Sequence, residues 1–355
     1  MAHGTSKGPV VSVLMAAHDA EGSVRRAVES VQNQTLREIE LVFVDAGSRD
    51  ATARVVEAMA ERDLRIEVVR ADDCTRQEAL DTALERARGR YVTVLDADAC
   101  ARPTMLSGLV GRAEERSLEL VVGGLELCLV DPGGRATEVE LAAEDVVFPT
   151  QHDFRTAAWH LFSTGQLLPV TGKLFSLELA RQHALGFARG GASDHLFTID
   201  YLREVERVGV SGDVCCRVDR QIASALRRMG TPEGYRLLGQ EHAALLALYR
   251  QWGLEGDAAS MEMLQSRYVE RLVACVEGVC GGVLPSAEQR AAVEAMIGTD
   301  SARLAASVAR PASSAARSML GPIRSKNVTI ACAQARLLSL LGRGPAIWAM
   351  PDAFV

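Results

Sequence analysis

The chain has 355 residues, 48% of them hydrophobic and 24% charged, proportions that exclude fibrous, collagen-like and wholly disordered proteins. Acidic side chains outnumber basic ones by 46 to 39, and the resulting net charge of −7 has the wrong sign for a protein that coats nucleic acid. The length allows one large domain or two of moderate size.

The cysteines and the apolar segments predict a cytoplasmic protein. The eight cysteines are scattered without a C-x-x-C pair, which disfavours a zinc ribbon and a secreted disulfide framework. No stretch approaches the roughly 20 apolar residues that cross a bilayer, and the polar start before Val10 lacks the regions of a signal peptide. We therefore expect no transmembrane segment and no nucleic-acid partner.

The first third of the chain alternates between β-branched runs and segments with helical spacing. Strands are predicted at residues 10–15, 40–45, 66–69 and 91–95, with helices between them at 23–32, about 50–62 and about 75–87. This alternation predicts an α/β fold with a mostly parallel central sheet and helices on both faces.

Two further strands are predicted at 118–122 and 125–130, joined through Gly123 and Gly124. A strong turn signal follows at residues 131–134. This part of the chain no longer alternates regularly between strands and helices.

The chain becomes rich in alanine and leucine after about residue 221. Helices are predicted at 235–252, 258–279 and 287–297, and a capping box is expected at the last, with Ser286 as its N-cap and Gln289 as its partner. Residues 312–318 have a linker-like composition. We therefore predict two regions, 1–220 and a helical C-terminal region, 221–355.

Acidic residues follow the predicted parallel strands. His18 and Asp19 lie just past the first strand, Asp45 ends the second, and Asp96 and Asp98 follow the fourth. Because ligands bind beyond the carboxyl ends of such strands, these carboxylates are expected on one rim of the sheet. Crowded carboxylates need a compensating cation, and Mg²⁺ or Mn²⁺ would supply it. The D-x-D pair taken alone is equally consistent with an Asp that caps a turn.

Two other nucleotide-binding motifs are missing. A dinucleotide fold needs G-x-G-x-x-G after the first strand, but residues 16–22 read AAHDAEG and contain one glycine. The sequence also lacks the G-x-x-x-x-G-K-[ST] loop of a P-loop nucleotidase. Phosphates would therefore have to be held by a metal.

Four ordered segments resemble the family 2 glycosyltransferases, which have an A-type nucleotide-sugar-binding fold. They are residues 11–21 (VSVLMAAHDAE), 30–35 (SVQNQT), 41–50 (LVFVDAGSRD) and 87–98 (ARGRYVTVLDAD). A weaker resemblance continues through 171–175 (TGKLF), 185–187 (LGF) and 193–197 (SDHLF), so that it covers about residues 10–220.

The resemblance implies a role for each matching residue. Asp45 would contact the nucleotide base, Asp96 the ribose and the metal, Asp98 the metal, and Asp194 would be the catalytic base. Further substrate-binding residues would be Ala17, His18, Asp19 and Lys173. The implied enzyme needs Mn²⁺ or Mg²⁺, inverts the anomeric centre, and moves a sugar from a nucleoside diphosphate, most often UDP, to a saccharide or lipid-linked acceptor in cell-surface polysaccharide biosynthesis.

Several positions depart from the family pattern. Ala46 replaces the second Asp of "D-D-G-S", Leu80 replaces the Arg of "A-R-N-x-G", and Ser193 replaces the Glu before the base. His18 and Ala16 also differ from the usual residues around the first strand. These changes leave the metal and base carboxylates in place but put the nucleotide and sugar in doubt.

Two alternatives stay open at this point. A nucleotidyltransferase acting on sugar phosphates also uses strand-end carboxylates and Mg²⁺, and a catalytically silent nucleotide-sugar-binding member would account for Ala46 and Leu80. Basic residues near apolar ones in the C-terminal region are consistent with peripheral contact at the inner face of the membrane, but a solvated helix face or a homodimer contact is favoured. These residues are Arg303, Arg310, Arg317, Arg324 and Lys326.

Overall fold

The computed structural model describes residues 8–131, 133–190 and 193–341. Its sheet begins with four parallel strands: β1 (Val11–Ala17), β2 (Ile39–Asp45), β3 (Ile66–Arg70) and β4 (Tyr91–Val94). They are connected through α1 (Val24–Gln32), α2 (Thr52–Ala60) and α3 (Arg76–Arg86). The predicted α/β alternation is confirmed because the apolar residues of these strands and helices form a common core.

The remaining strands make the sheet mixed. They are β5 (Ala99–Ala101), β6 (Leu120–Val130), β7 (Ala136–Leu141), β8 (Val146–Val147), β9 (Lys173–Ser176) and β10 (Val208–Gln221). The strand order is β3-β2-β1-β4-β9-β6-β10-β5, with β7 beside β6 and β8 beside β10. β9 is antiparallel to β4 and β6, so the parallel pairing predicted from sequence covers the first four strands.

Gly123 and Gly124 do not join two strands, as predicted, but lie inside the single strand β6. A Cβ atom on Gly123 would lie 2.7 Å from Cys215 Sγ and 2.9 Å from the Gly172 carbonyl oxygen. The glycines therefore admit close neighbours rather than a turn. The predicted turn follows β6, where Asp131 Oδ1 accepts hydrogen bonds from the amides of Gly133 and Arg135; residue 132 lies outside the described residues.

Helices dominate the rest of the chain. The sheet region also contains α4 (Met105–Arg116), α5 (Gln151–Ser163), α6 (Leu177–Gln182) and α7 (Asp194–Glu204). The predicted helical C-terminal region is confirmed. It comprises α8 (Ile222–Met229), α9 (Pro232–Gln251), α10 (Ala258–Cys280), α11 (Ser286–Ile297), α12 (Asp300–Val308), α13 (Ser314–Arg324) and α14 (Val328–Leu341). No helix in the described ranges is long and apolar enough to span a bilayer.

The chain divides into two compact units. The first comprises residues up to Leu127, Glu140–Phe154 and Leu168–Asp219, and it contains the parallel strands. The second comprises Cys128–Val139, Arg155–Leu167 and the chain from Arg220 onward.

One local prediction in the C-terminal region is wrong. The N-cap of α11 is Pro285 rather than Ser286, and the Gln289 side chain donates to the Leu284 carbonyl oxygen (3.0 Å) instead of closing a capping box. The linker-like stretch contains the start of α13, because Ser313 Oγ caps that helix and also bonds the buried Glu270 carboxylate at 2.5 Å.

Because other atoms lie so close to Gly123, adding one methyl group there should lower the stability of the protein measurably. Gly123→Ala should lower the free energy of unfolding by about 1–3 kcal/mol, because Cys215 and the Gly172 backbone must move apart. Gly108→Ala is the matched control: it lies within α4 with no atom near its added methyl, and alanine favours a helix. Thermal melting of both variants checks the expectation, which an unchanged midpoint for Gly123→Ala contradicts.

Candidate functional site

The loops after β1 and β2 form one rim at the carboxyl edge of the sheet. Ala17 and Asp45 are register partners at the ends of these strands. His18 Nδ1 lies 2.9 Å from the Ala46 carbonyl oxygen, and Asp19, at a φ of 50°, accepts the Arg49 amide at 2.7 Å. The predicted substrate residues 17–19 are thus fixed against the turn that follows β2.

Asp45 is a buried carboxylate with one oxygen still to be satisfied. Its Oδ2 accepts the Ser48 amide at 3.3 Å. Within the described part of the chain, Oδ1 has no hydrogen-bond partner although its surface is covered. A buried acceptor without a donor costs free energy, so this oxygen is suited to receive an N–H group from a ligand.

Asp96 and Asp98 follow β4, as the D-x-D pattern requires. Asp96 is buried, whereas Asp98 is partly exposed. The described residues contain no group of three or more His, Cys, Asp or Glu side chains arranged to hold a metal ion. The pair nevertheless provides hard oxygen ligands of the kind that hold Mg²⁺ or Mn²⁺ when a diphosphate and water complete the coordination.

Arg76 connects two of the predicted carboxylates, although the sequence analysis did not single it out. Its Nη2 donates to Asp96 Oδ1 at 2.5 Å and its Nε to Asp194 Oδ2 at 2.9 Å. Gln77 Nε2 donates to the other oxygen of Asp194, also at 2.9 Å. These bonds bring Asp96, a predicted metal ligand, and Asp194, the predicted base, into one site, although 98 residues separate them in the sequence.

The charge of Arg76 is stabilised by its two partners. Desolvation alone would lower the pKa of its guanidinium, but the negative charges of Asp96 and Asp194 and their hydrogen bonds raise that pKa above its usual value. Its planar fork of donors suits simultaneous contact with two carboxylates. The site therefore holds a permanent cation between the two acids.

Helix α3 places Arg76 and Gln77 because its first residues are strongly capped. Thr75 Oγ1 accepts the Glu78 amide, and the Glu78 carboxylate accepts the Thr75 amide at 2.8 Å. This T-x-x-E capping box is a sequence signal that could have located the start of the helix and its two site residues.

The same helix holds the segment that leads to Asp194. Asp81, one turn after Gln77, accepts the amides of Phe187 at 2.6 Å and Ala188 at 2.9 Å. The Phe187 ring stacks on Phe197 of α7, with their centroids 4.1 Å apart. Asp194, the predicted base, begins α7, so two successive turns of α3 contact Asp194 itself and residues 187–188 before it.

Leu80 and Ala46, which differ from the family pattern, are both buried in the structure. Leu80 is fully buried in the core, and Arg76 lies four residues earlier, on the same face of α3. A guanidinium thus reaches the site from the preceding turn. Ala46 is also buried, and its carbonyl oxygen contacts His18.

Lys173 is placed differently from the other predicted site residues. It begins β9, is completely buried, and its Nζ donates to the Pro169 carbonyl oxygen. This contact ties β9 to the segment before it. A substrate contact for Lys173 remains a prediction.

Sequence comparisons relate this chain to glycosyltransferases. Residues 12–157 match the model of the family described as "Glycosyl transferase family 2". The chain is 27% identical over 251 residues to the uncharacterized glycosyltransferase EpsJ of Bacillus subtilis, which covers 70% of this chain and 72% of EpsJ.

Solved glycosyltransferases share the fold. The crystal structure of S. aureus TarS 1–349 in complex with UDP-GlcNAc has a TM-score of 0.63 and 18% identity, over 94% of this chain and 92% of that one. Mannosyltransferase PcManGT from Pyrobaculum calidifontis, in complex with GDP-Man and Mn²⁺, has a TM-score of 0.52 and 17% identity, over 96% and 89% of the two chains. At these identities the likeness concerns the fold alone.

The family match, the relatives and the fold lead to one conclusion. Residues 12–157 match glycosyl transferase family 2, and the chain is a glycosyltransferase.

Proposed function

We propose that this glycosyltransferase is metal-dependent and inverting, and moves a sugar from a nucleoside diphosphate to a hydroxyl of a saccharide or lipid-linked acceptor. Residues 1–220 would carry the reaction, while the helical region 221–355 would have a separate role. The observation that carries the proposal is the bridge of Arg76 between Asp96 and Asp194. This bridge joins Asp96, which is suited to bind the sugar donor, with Asp194, which is suited to act on the sugar acceptor.

The donor would bind along the ends of β1, β2 and β4. The unsatisfied Oδ1 of Asp45 would accept an N–H of the nucleotide base, and Asp96 would accept a ribose hydroxyl. The rim residues Ala17, His18 and Asp19 would contact the nucleotide, and Lys173 would contact a phosphate or the acceptor. UDP is the carrier we favour, since TarS of the same fold binds UDP-GlcNAc.

Asp98, together with Asp96, would hold Mn²⁺ or Mg²⁺ against the diphosphate. When bound, the ion supplies Lewis-acid stabilisation of the charge on the leaving nucleoside diphosphate. PcManGT, which shares the fold, was solved with Mn²⁺. The oxygen-only donor pair at the end of β4 fits either ion.

Asp194 would act as the general base. An acceptor hydroxyl must lose its proton as it attacks the anomeric carbon, and a carboxylate opposite the leaving group can take it. Attack from that side in one displacement inverts the anomeric centre. Arg76 and Gln77 bind the two oxygens of Asp194 in a fixed orientation, which leaves the remaining lone pairs for the acceptor.

The nucleotidyltransferase alternative has no observation in its favour, because the fold and the relatives are those of glycosyltransferases. A silent nucleotide-sugar-binding protein differs from an active enzyme only in turnover. A cytoplasmic location and a homodimer remain predictions.

Metal-dependent turnover is the first expectation. Release of UDP or GDP from a panel of nucleotide sugars should require Mn²⁺ or Mg²⁺, stop with EDTA, and be abolished in Asp98→Ala. Glu61→Ala, which removes an exposed carboxylate at the end of α2, should behave as wild type. The proposal is wrong if no nucleotide sugar is turned over and none raises the melting temperature; stabilisation without turnover supports the silent alternative.

Asp194→Asn tests the base. The amide keeps the shape of the side chain but cannot take a proton, so kcat should fall by about 10²–10⁴-fold while KM for the donor stays within about threefold. Asp200→Asn, on the same helix and paired with Arg203, is the matched control. Transfer by Asp194→Asn at the wild-type rate would place the base elsewhere.

Arg76→Gln should reduce kcat by about tenfold or more, since Asp194 loses the bond that orients it and two carboxylates face each other without a cation. Arg76→Lys should recover part of the activity. Because both residues act through one group, Arg76→Gln combined with Asp194→Asn should be no slower than Asp194→Asn alone. Arg86→Gln, at the far end of α3, is the control. Full additivity in the double variant would show that Arg76 does not act through Asp194.

A further inference from the structure

The C-terminal region contains a long segment without a single acidic residue. Residues 301–341 include six Arg or Lys side chains and no Asp or Glu, in a chain whose net charge is −7. At the average acidic content of this chain, about five would be expected there. The segment covers most of α12 and all of α13 and α14, so four of its six basic residues lie on helices, while Arg310 and Lys326 lie between them.

The structure gathers several of these cations around α12. Arg324 Nε donates to the Ala306 carbonyl oxygen at 2.7 Å, although 18 residues separate them. Arg317 Nη1 donates to the carbonyl oxygens of Pro311 and Ala312, just beyond the end of α12. Arg303 belongs to α12 itself.

Acidic groups compensate only part of this charge. Arg303 is 3.3 Å from Asp300, and Arg310 is 3.3 Å from Glu262. Arg317 and Arg324 bond main-chain carbonyls instead, which satisfy donors but leave the positive charge in place. Both side chains are exposed.

Exposed apolar side chains lie on the same helix. Leu304 and Val308 are one turn apart on α12, and they are 61% and 40% exposed. Large apolar side chains beside exposed cations are typical of helices that bind the surface of a membrane. Single exposed apolar residues are common on soluble proteins, so the distinguishing feature is the combination of these two side chains with the uncompensated cations near them.

We propose that this surface, formed by Arg303, Leu304, Val308, Arg310, Arg317 and Arg324, binds the face of an anionic lipid bilayer. The arginines supply attraction to negatively charged headgroups, and the two apolar side chains enter the headgroup region. The lipid surface is favoured over a soluble polyanion because Leu304 and Val308 would remain exposed against the latter. The inference does not depend on the transfer reaction.

Sedimentation of the full chain with lipid vesicles tests the proposal. The protein should bind vesicles of phosphatidylcholine containing about one-third phosphatidylglycerol, should bind pure phosphatidylcholine weakly, and should be released by high salt. The double variant Arg317→Gln with Arg324→Gln should lower the partition coefficient by about thirtyfold at low salt. Leu304→Ser with Val308→Ser should weaken binding at any salt concentration.

Matched controls come from the first unit. Leu64→Ser removes a fully exposed leucine, and Arg25→Gln removes an exposed arginine paired with Glu29. Neither should change vesicle binding, and unchanged melting temperatures would show that all variants fold. Failure to bind anionic vesicles, or equal losses in the controls, overturns the proposal. Binding to a soluble phosphate polymer without binding to vesicles also overturns it, since the surface would then recognise a polymer.

Discussion

The site depends on one guanidinium held between two carboxylates. Asp96 follows β4 and Asp194 begins α7, so their charges would repel each other at the carboxyl edge of the sheet without a cation between them. Arg76 binds both, and its Nη1 also lies 3.5 Å from the carbonyl oxygen of Ala16 in β1. Through this one side chain, the ends of two parallel strands and the start of a helix from the second half of the unit are fixed relative to one another.

This arrangement makes α3 the support of the site as well as a crossover helix. Its capping box fixes the first turn, and Asp81 binds the amides of Phe187 and Ala188. A short hydrogen-bonded helix terminus is a rigid place from which to orient a base, because its backbone cannot adjust residue by residue. Leu80 itself is buried in the core, and a cation reaches Asp96 and Asp194 from Arg76 in the preceding turn.

The sequence predicted what depends on local periodicity and missed what depends on contacts between distant residues. The four parallel strands are continuous apolar runs, and the D-x-D pair follows one of them directly, so both could be recognised. The sequence alone could not explain Gly123. Glycine is needed there because Cys215 and Gly172 lie against it, and only the folded sheet brings these residues near. Arg76 was missed for the same reason: 118 residues separate it from Asp194, and nothing local marks it except the T-x-x-E cap. At Ser286, a capping-box pattern was present but the backbone began the helix after Pro285 instead.

The net charge is informative only when it is divided along the chain. Residues 301–341 have a net charge of +6. Because the whole chain has a net charge of −7, the remaining residues have a net charge of −13. Charges interact over about 8–10 Å at physiological ionic strength, and a partner therefore responds to the local excess rather than to the sum. The acidic excess of the chain belongs to other parts of the molecule, including the carboxylates around Arg76. The same total thus contains an anionic region, which under the proposed function would need a cation to hold a diphosphate, and a cationic segment suited to an anionic surface. A lipid-linked acceptor, one of the acceptors of the proposed function, would be presented at such a surface, so the two proposals agree in the chemistry of the partner they require.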